Sequence, residues 1–389
     1  MSDGGTTIEY KDTLEKKYRA RIHALLAELP PYCRDFSRFL KTRCVLHTCM
    51  QYLNDVYTFY RFLAENNPMI KTIGIRSVDL DTLENLSGDD FDEYLNWLSA
   101  YKFDAENENE VEKRNKNSTK KRKMISLRTF FKYLYVRDKI SRNPIEKAVM
   151  PRADKKLTTS IRILSDHELE LFLNCFDNAY EAAQDSVFSA SDEEFKKDPY
   201  LRMRPAMIKR DQAIVYLILN TGLRVSEVCA INCADIGWNT GKINVIRKED
   251  EDGGEKESYV CVNEEMLSML NEYIEDARPL LNPNPANYDA LFIGNKKSRI
   301  MPRSIERIVK KYATQALGGK NGITPHKLRA TFGSMYYRKT QDITATALAL
   351  NHLSGIEVAA KYYLHPADDA LERAAMLNLT KSAENSTTS

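Results

Sequence analysis

Five residues suited to phosphate chemistry recur in a fixed order along the C-terminal half of the chain: Arg224, His326, Arg329, His352 and Tyr363. A guanidinium binds phosphate oxygens through paired N–H groups and stays charged at any working pH. Imidazole exchanges protons near neutrality, and a tyrosine hydroxyl can act as a nucleophile. His326 and Arg329 would lie about one turn apart on a helix and could face one phosphate. The fold must therefore bring distant segments to a single anionic site.

Short motifs surround these residues. Asn220–Val228 reads NTGLRVSEV, His326–Arg329 reads HKLR, Leu350–His352 reads LNH and Tyr363–His365 reads YLH. A further segment, Ile243–Lys248, has the alternating pattern of a strand and ends in a lysine.

Together these segments resemble those of the tyrosine recombinases, also called phage integrases. The first is similar to the family's TGLRxSEL motif, the second matches HxLR, and the last is similar to the Y-x-H around the nucleophile. The third resembles LGH, with Asn351 in place of glycine. Lys248 stands where the family has its hairpin lysine. The resemblance extends over most of the chain from about residue 38.

This resemblance implies a role for each residue at the phosphate. Arg224 and Arg329 would hold the two non-bridging oxygens of a DNA phosphodiester, and His352 would add a donor to the same group. His326 would assist proton transfer from the tyrosine. Glu227, one turn after the first arginine, is at a position where the family often has an acid that orients that arginine; a plain surface glutamate is the alternative.

The nucleophile and the general acid are also implied by the resemblance. Tyr363 keeps the Y-x-H register and would form a 3′-phosphotyrosyl link, although Tyr362 lies closer to the family's usual spacing from the LGH histidine. Lys248 would protonate the 5′-hydroxyl leaving group, with Lys256 across the turn as the weaker candidate. Neither a metal, a cofactor nor ATP is expected, because the bond energy would be kept in the covalent intermediate.

Bulk properties limit the protein class. A chain of 389 residues is long enough for two domains with separate cores. No apolar run approaches the ~20 residues that span a bilayer, and the start of the chain lacks the pattern of a signal peptide. Seven cysteines, scattered singly, predict reduced thiols rather than a disulfide framework. We therefore expect a cytoplasmic bacterial protein, associated with the nucleoid and not with a membrane.

The net charge is only +2, but the basic residues are unevenly distributed. Between Lys113 and Lys156 the chain has sixteen Lys or Arg against three acids. Such density indicates a phosphate-binding face, although a solvated lysine-rich loop has the same composition. The residues expected to bind DNA are Lys120, Lys121, Arg122, Lys123, Arg128, Arg152, Lys155 and Lys156.

The predicted fold class is mainly α with a small antiparallel β-sheet, arranged as a two-domain DNA clamp. A helical-bundle, core-binding domain would precede the tyrosine recombinase catalytic domain. The expected segments are an N-terminal arm or helix at 1–35, the DNA-binding bundle at 36–150, a basic linker at 151–163, the catalytic domain at 164–366, and a C-terminal helix with a disordered tail at 367–389.

Within the first domain, apolar spacing predicts a helix over Thr13–Leu29, which would either bind DNA or a partner, or pack on its own domain. Asp104–Glu112 is expected to form an exposed loop. Further helices are predicted at about 42–65, 87–101, 118–137 and 143–148.

In the second domain, Ser165 should cap a helix, and a helix over Arg210–Leu219 should end at Gly222. A β-hairpin is predicted around Asp252–Gly254, between strands at 242–246 and 258–262. The polar segment 181–204 is expected to be a loop or an irregular helix. Other helices are predicted at 226–231, 264–277, 303–316, 326–338, 342–349, 356–364 and 367–379.

The function expected from these observations is site-specific recombination that integrates or excises a phage or conjugative transposon. The partners would be double-stranded DNA at element ends and target sites, further copies forming a tetramer on two sites through the C-terminal helix, and an accessory excision or bending protein. A chromosome-dimer recombinase, a type IB topoisomerase and a non-catalytic DNA-binding regulator on the same fold are the alternatives. A metal-dependent nuclease is disfavoured, because no acidic cluster with ligand spacing is evident.

Overall fold

The structure is a computed structural model that describes residues 5–103, 111–113, 115–152, 163–248, 255–319 and 322–351. Side chains are described within 12–100, 115–152, 163–247, 256–319 and 322–351. The chain divides into two compact units, Ile8–Leu157 and Thr158–Ser389. No helix in these ranges is long and apolar enough to cross a membrane. All seven cysteines lie in described segments and are free thiols, which confirms the prediction of no disulfide framework.

The first unit is a helical bundle, as predicted. Its elements are α1 (Gly5–Glu28), α2 (Cys33–Lys41), α3 (Leu46–Asn66), α4 (Pro68–Ile73), α5 (Leu80–Glu84), α6 (Gly88–Trp97), β1 (Tyr101–Phe103), β2 (Val111–Lys113) and α7 (Asn117–Val136). Short 3₁₀ turns cover Ile75–Ser77 and Pro144–Lys147. The helix α2 was not predicted, because Pro30 and Pro31 indicate a break and only nine residues follow them in the helix.

Aromatic packing holds this bundle together. Phe59 on α3 stacks on Phe91 of α6 with ring centroids 5.6 Å apart, and Phe36 on α2 meets Phe130 of α7 edge-to-face at 5.0 Å. All four rings are fully buried. On α1, the apolar residues Ile22 and Leu25 are part of the same core. Of the two hypotheses for this helix, packing on its own unit is therefore the one that the structure supports.

The prediction of a loop over Asp104–Glu112 is wrong for its last two residues, which belong to β2. Strands β1 and β2 pair antiparallel, with Phe103 opposite Val111 and Lys102 opposite Glu112. Residues 104–110 lie outside the described part of the chain. Acidic composition predicts exposure, but it does not prevent backbone pairing between two adjacent extended segments.

The second unit consists of helices around a small sheet. The helices are α8 (Asp166–Ser189), α9 (Asp192–Lys197), α10 (Arg204–Thr221), α11 (Val225–Ala230), α12 (Glu264–Glu272), α13 (Pro302–Leu317), α14 (Pro325–Thr340) and α15 (Ile343–Ala349). A π-helical turn, Tyr273–Ala277, follows α12. The sheet order is β3 (Ile236–Gly237), β4 (Lys242–Lys248) and β5 (Glu255–Cys261), all antiparallel. The predicted fold class, mainly α with a small antiparallel sheet, is confirmed.

Two local predictions in this unit have different outcomes. Ser165 caps α8, and its hydroxyl accepts from the backbone N–H of Glu168 while that carboxylate accepts from the Ser165 N–H, a confirmed capping box. The prediction of a loop or irregular helix over 181–204 is wrong at its start, because α8 continues to Ser189. A second capping box at Ser191 then begins α9. Alanine, glutamate and glutamine favour helix, so this polar segment stays helical.

The predicted hairpin is confirmed, with longer strands than expected. Lys242 lies opposite Cys261, and Lys248 lies opposite Glu255. The predicted turn at Asp252–Gly254 lies outside the described residues, as do the predicted helices 356–364 and 367–379. On β4 the buried side chains are Ile243, Val245 and Arg247, so an arginine shares the face of two core residues.

A sharp turn at Gly222 connects α10 to α11, as predicted. Gly222 has φ of +63°, in the left-handed region that glycine adopts without penalty. A Cβ atom there would lie 2.5 Å from the Phe332 ring and 2.8 Å from the Leu350 side chain. The turn therefore requires glycine both for its backbone conformation and for its close contact with α14.

Candidate active site

Arg224 lies at the N-terminus of α11, two residues after the glycine turn. Its Nη1 donates to Glu227 Oε1 at 3.0 Å, and its backbone N–H donates to Oε2 of the same carboxylate at 2.8 Å. Its Nη2 donates to the carbonyl oxygen of Asn351 at 3.1 Å. The Glu227 side chain is only 5% exposed, whereas that of Arg224 is 37% exposed. The acid thus orients an arginine that remains accessible.

Arg329, on the second turn of α14, is buried. Its guanidinium donates to the carbonyl oxygens of Gly222 and Leu350, so one side chain ties α14 to the glycine turn and to the end of α15. Gly222 lies two residues before Arg224, and Leu350 precedes Asn351, whose carbonyl accepts from Arg224. The two arginines of the sequence motifs therefore belong to one hydrogen-bonded cluster.

His326 lies in the first turn of α14, where Thr324 caps the helix by accepting from the Lys327 N–H. Partial burial lowers the pKa of His326, and the positive charges of Arg329, Arg224 and Lys327 lower this pKa further. These charges act on the imidazole because it lies close to both motif arginines. At neutral pH the ring is therefore uncharged and able to accept a proton.

Asn351 follows Leu350 at the end of α15 and has φ of +44°. Asparagine is among the few residues other than glycine that adopt this left-handed conformation. The exchange of glycine for asparagine in the LGH-like segment is therefore compatible with the backbone that the segment adopts. Its carbonyl also receives the hydrogen bond from Arg224.

The remaining predicted catalytic residues are only partly described. Lys248 ends β4, but its side chain lies outside the described set; Lys256, opposite Arg247, is exposed. His352, Tyr362 and Tyr363 also lie outside the described residues. In the described ranges, no three His, Cys, Asp or Glu side chains converge in a group that could hold a metal ion.

Sequence reasoning missed Arg247. This side chain is 7% exposed, and its Nε has no hydrogen-bond partner among the described residues. Burial lowers the pKa of Arg247, the charge of Glu227 raises it, and that of Arg224 lowers it. Arg247 therefore lies near the Arg224–Glu227 pair, and its strand β4 packs against α11. The strand alternation with Ile243 and Val245 was the signal that could have placed it on the inner face.

The basic residues of the first unit fall into two groups. Arg122 and Lys123 converge on the fully buried Asp55, to which Arg122 donates through both Nη atoms. Lys123 is itself buried, and its Nζ lies 3.0 Å from Asp55 Oδ1 and 3.1 Å from Thr58 Oγ1. Ser126 donates to Oδ2 of the same carboxylate at 2.8 Å. This group, the Asp55 cluster, joins α3 to α7.

The other predicted DNA contacts lie nearer the solvent. Lys120 donates to the Ser99 hydroxyl at 2.6 Å, and Arg128 donates to the Ala148 carbonyl at 3.0 Å. Lys121 and Arg152 are exposed, while Lys155 and Lys156 lie outside the described residues. The exposed cations are therefore Lys121, Arg152 and the partly exposed Arg122, and burial separates Lys123 from them.

Comparisons with known proteins agree with this geometry. The profile of the Phage integrase family matches residues 195–369, a span that contains the whole cluster around Arg224. Residues 195–369 therefore belong to the phage integrase family of tyrosine recombinases. The enzymatic class of the chain is accordingly that of the tyrosine-type site-specific recombinases, which transfer DNA strands.

Relatives of this tyrosine recombinase extend the match beyond the profile. The chain is 28% identical to tyrosine recombinase XerC of Caldanaerobacter subterraneus, over 94% of this chain and 91% of the relative. Two DNA complexes share the fold. XerH recombinase bound to its difH substrate has a TM-score of 0.55 and 20% identity, over 85% of this chain and 80% of XerH. Residues 82–397 of the Tn1549 transposon integrase, bound to circular intermediate DNA, have a TM-score of 0.53 and 19% identity, over 88% of this chain and 98% of that fragment.

Proposed function

We propose that this recombinase cuts and rejoins double-stranded DNA through a 3′-phosphotyrosyl intermediate formed at Tyr363. The observation that supports this most strongly is the cluster of Arg224, His326 and Arg329 around the Gly222 turn. Side chains from two distant parts of the sequence come together there, Arg224 from one and His326 with Arg329 from the other, and one accessible guanidinium is held in place by a buried carboxylate. Such preorganised donors stabilise charge that develops during reaction at phosphorus.

In the proposed first step, the Tyr363 oxygen attacks the phosphorus, and the bond from phosphorus to the 5′-oxygen breaks. His326, neutral at pH 7, accepts the phenol proton. Arg224, Arg329 and His352 would donate to the non-bridging oxygens, and Lys248 would protonate the departing 5′-oxygen. The products are a 3′-phosphotyrosine and a free 5′-hydroxyl.

In the second step, a 5′-hydroxyl from another DNA strand attacks the phosphotyrosyl phosphorus. The P–O bond to the tyrosine breaks, the phenol regains its proton, and the new phosphodiester has the same bond count as the old one. Because the phosphoryl group passes from one oxygen to another and back, the free energy of the phosphodiester is conserved without ATP.

DNA would be held by the first unit as well as by the catalytic unit. Lys121, Arg122, Arg152, Lys120 and Arg128 lie at or near the surface and would contact phosphates, together with Lys155 and Lys156 of the linker. We exclude Lys123 from the proposed contacts because its ammonium is buried on Asp55. The proposed domains are the DNA-binding bundle at 36–150 and the catalytic domain at 164–366, which would enclose the duplex as a clamp.

The assembly that we propose is a tetramer on two DNA sites. Each C-terminal helix, predicted at 367–379, would pack on a neighbouring protomer, so the interface would be heterologous and cyclic. An accessory bending or excision protein would join the complex if the substrate is a mobile element. Removal of 367–389 should abolish recombination and preserve binding of a single protomer to one site, as measured by native gel shift.

Two classes of DNA substrate agree with this chemistry. Integration and excision of a mobile element is the first, and the Tn1549 integrase is a structural neighbour of that kind. A chromosome-dimer recombinase is the second, and it is favoured by relatives named XerC.

Sequencing of covalently bound DNA from the source cells would separate the two classes. Enzyme–DNA adducts are recovered under denaturing conditions, and the attached DNA is mapped to the genome. Reads at both boundaries of a mobile segment support the integrase, whereas reads at one chromosomal locus support the chromosome-dimer recombinase. The same experiment supplies the cleavage site for work in vitro.

The chemistry is tested with nicked duplexes that contain this site. The nick lets the short 5′-hydroxyl fragment diffuse away, so the phosphotyrosyl adduct accumulates and is counted on a denaturing gel. We expect the adduct with the wild type and with Tyr362→Phe, and none with Tyr363→Phe. Loss only in Tyr362→Phe would move the nucleophile by one residue. DNA binding without an adduct in any form would favour the non-catalytic regulator.

A further inference from the structure

Arg247 is a buried cation that the mechanism above does not use. It is the penultimate residue of β4, and it shares the inner face of that strand with the core residues Ile243 and Val245. The side chain is more than nine-tenths buried, and within the part of the chain that the structure describes its Nε has no hydrogen-bond partner. A charged group in such surroundings is costly, so its retention on the core face calls for a compensating function.

Two other buried arginines of this unit, Arg278 and Arg299, have hydrogen-bond partners for their guanidinium groups. Arg278 donates from Nε and Nη2 to the Ala290 carbonyl. Arg299 donates to three consecutive carbonyls that begin at Cys229, and to the Asn232 side chain. In both, most of these donors end on main-chain oxygens. Arg247 differs, because its Nε has no partner among the described residues and its strand packs against the helix that begins beside Arg224.

The arrangement around Glu227 explains why a second cation is needed. Glu227 is buried and accepts from Arg224 through both of its oxygens, so its negative charge opposes that of the arginine. Helix α11, which holds this pair, packs against β4. In a poorly solvated site, one carboxylate and one guanidinium cancel, and the field toward an incoming phosphate is weak.

We propose that Arg247 is a positioning residue of the catalytic site, which offsets the charge of Glu227 and so preserves the attraction of Arg224 for a DNA phosphate. This inference rests on the proposed function, since it assumes that Arg224 binds the phosphate being cut. With Arg247 present, the three-residue group is a net cation; without it, the group is neutral. Arg247 itself acts through the pair and forms no bond to DNA.

A charge-based role predicts a specific dependence on the charge of the substrate. Replacing one non-bridging oxygen of the cleaved phosphate by a methyl group gives a methylphosphonate, which is neutral in the ground state. It develops less negative charge as the pentacovalent state forms, so an enzyme that has lost a stabilising positive charge should be impaired less on this substrate.

The experiment compares cleavage rates of nicked duplexes that have either a phosphodiester or a methylphosphonate at the cleavage site. Arg247→Met should lower the phosphodiester rate by about 10²-fold, the scale of losing one electrostatic stabiliser, and the methylphosphonate rate by less than about tenfold. Arg247→Lys keeps the charge and should retain most of the phosphodiester rate. Arg278→Met, the matched structural control, should change both rates by the same factor.

A second measurement keeps the proposal testable if Arg247→Met folds poorly. Glu227→Gln removes the charge that Arg247 offsets, so the double variant Arg247→Met, Glu227→Gln should cleave the phosphodiester faster than Arg247→Met alone. Thermal unfolding and DNA affinity are recorded for each variant, so that rates refer to folded, bound protein.

The outcomes distinguish failure of the proposed role of Arg247 from failure of the proposed function. Equal losses on both substrates in Arg247→Met, or losses that simply add in the double variant, would reject the role of Arg247 and leave the recombinase chemistry intact. Absence of cleavage by the wild type on a mapped site would instead reject the proposed function.

Discussion

Each unit of this protein has a buried carboxylate that accepts hydrogen bonds from basic residues. The sets of residues around these two carboxylates differ in how many of their donors the carboxylate takes up. In the first unit, Asp55 receives both Nη atoms of Arg122, the Lys123 ammonium and the Ser126 hydroxyl. In the second unit, Glu227 receives one Nη and the backbone N–H of Arg224.

This difference shows how the same residue types serve two purposes. The Asp55 cluster uses its cations to pin α3 to α7, and the buried Lys123 has no path to an external ligand. The Glu227 pair fixes only the position of an arginine that stays accessible, beside a histidine whose pKa is lowered. A buried acid therefore indicates an anion site only when its cation still has donors directed elsewhere.

The largest effect on stability should come from breaking the Asp55 cluster. Asp55→Ala leaves the Lys123 ammonium buried without its carboxylate and should destabilise the first unit by about 3–5 kcal/mol. Urea unfolding is followed by the fluorescence of Trp97, in a Trp238→Phe background so that only the first unit reports.

The matched control is the double variant Asp55→Ala, Lys123→Met. Because it removes the stranded charge together with its partner, it should recover much of the loss. If Asp55→Ala alone costs under about 1 kcal/mol, the cluster is not the structural centre described here.

The turn at Gly222 supports the Arg224 cluster, and substitution of this glycine should have the next largest effect. Gly222→Ala meets both a positive φ and contacts of 2.5 Å to Phe332 and 2.8 Å to Leu350. We expect a loss of about 1–3 kcal/mol in the free energy of unfolding, together with a reduced covalent adduct, because the Gly222 carbonyl accepts from Arg329.

Gly318→Ala is the control for this prediction. Gly318 has φ of +82°, but nothing lies within 4 Å of an added Cβ. It should lower stability through the backbone alone and preserve the adduct formed by folded protein. Similar loss of adduct in both variants would mean that the Gly222 contacts do not matter to the site.

His326 should give the Arg224 cluster a pH dependence that the Asp55 cluster lacks. Its pKa is lowered, so the folded state binds fewer protons than the unfolded state as pH falls below the unfolded value near 6.5. Cleavage should therefore be constant near neutrality and decline only as pH falls through the lowered pKa. Stability should decrease as pH falls from about 6.5 to the lowered pKa, level off below it, and be unaffected by His326 above this window.

The measurement is the rate of adduct formation from pH 5 to pH 8 for the wild type and His326→Gln. We expect His326→Gln to be slower at neutral pH and to lack the acid decline. An identical decline in both proteins would assign the titration to another group.

The smallest effect separates the basic residues by exposure. Lys121 is exposed, so Lys121→Ala should weaken binding to duplex DNA and reduce the dependence of log K on log salt by about 1. Lys123→Ala should change the stability of the first unit and leave that salt dependence unaltered. Equal changes in the salt slope would show that burial in the Asp55 cluster does not exclude Lys123 from DNA binding.

Much of the catalytic unit was predictable from local sequence signals. The caps at Ser165 and Gly222, the hairpin strands and the helix that begins at Pro325 follow from short-range preferences that the structure retains. The convergence of Arg224, His326 and Arg329 was predictable only from their resemblance to family motifs, because spacing along the chain does not fix distances in space.

What sequence reasoning missed depends on long-range partners. Lys123 read as one of a run of surface cations, but Asp55, far away in the sequence, buries it. Arg247 read as part of the lysine motif, and only the packing of β4 shows that it faces inward. The continuation of α8 to Ser189 reflects helix propensity that a reading based on polarity undervalued.

The comparison between the two groups is tested most directly with two matched arginines, each bonded to one buried carboxylate. Covalent adduct is measured on nicked duplexes for Arg224→Gln and Arg122→Gln, at DNA concentrations that saturate each protein. We expect that Arg224→Gln lowers the adduct rate by about 10²–10³-fold while Arg122→Gln leaves it within about threefold of the wild type. Equal losses, or a greater loss in Arg122→Gln, would contradict the assignment of the Arg224 cluster as the phosphate site.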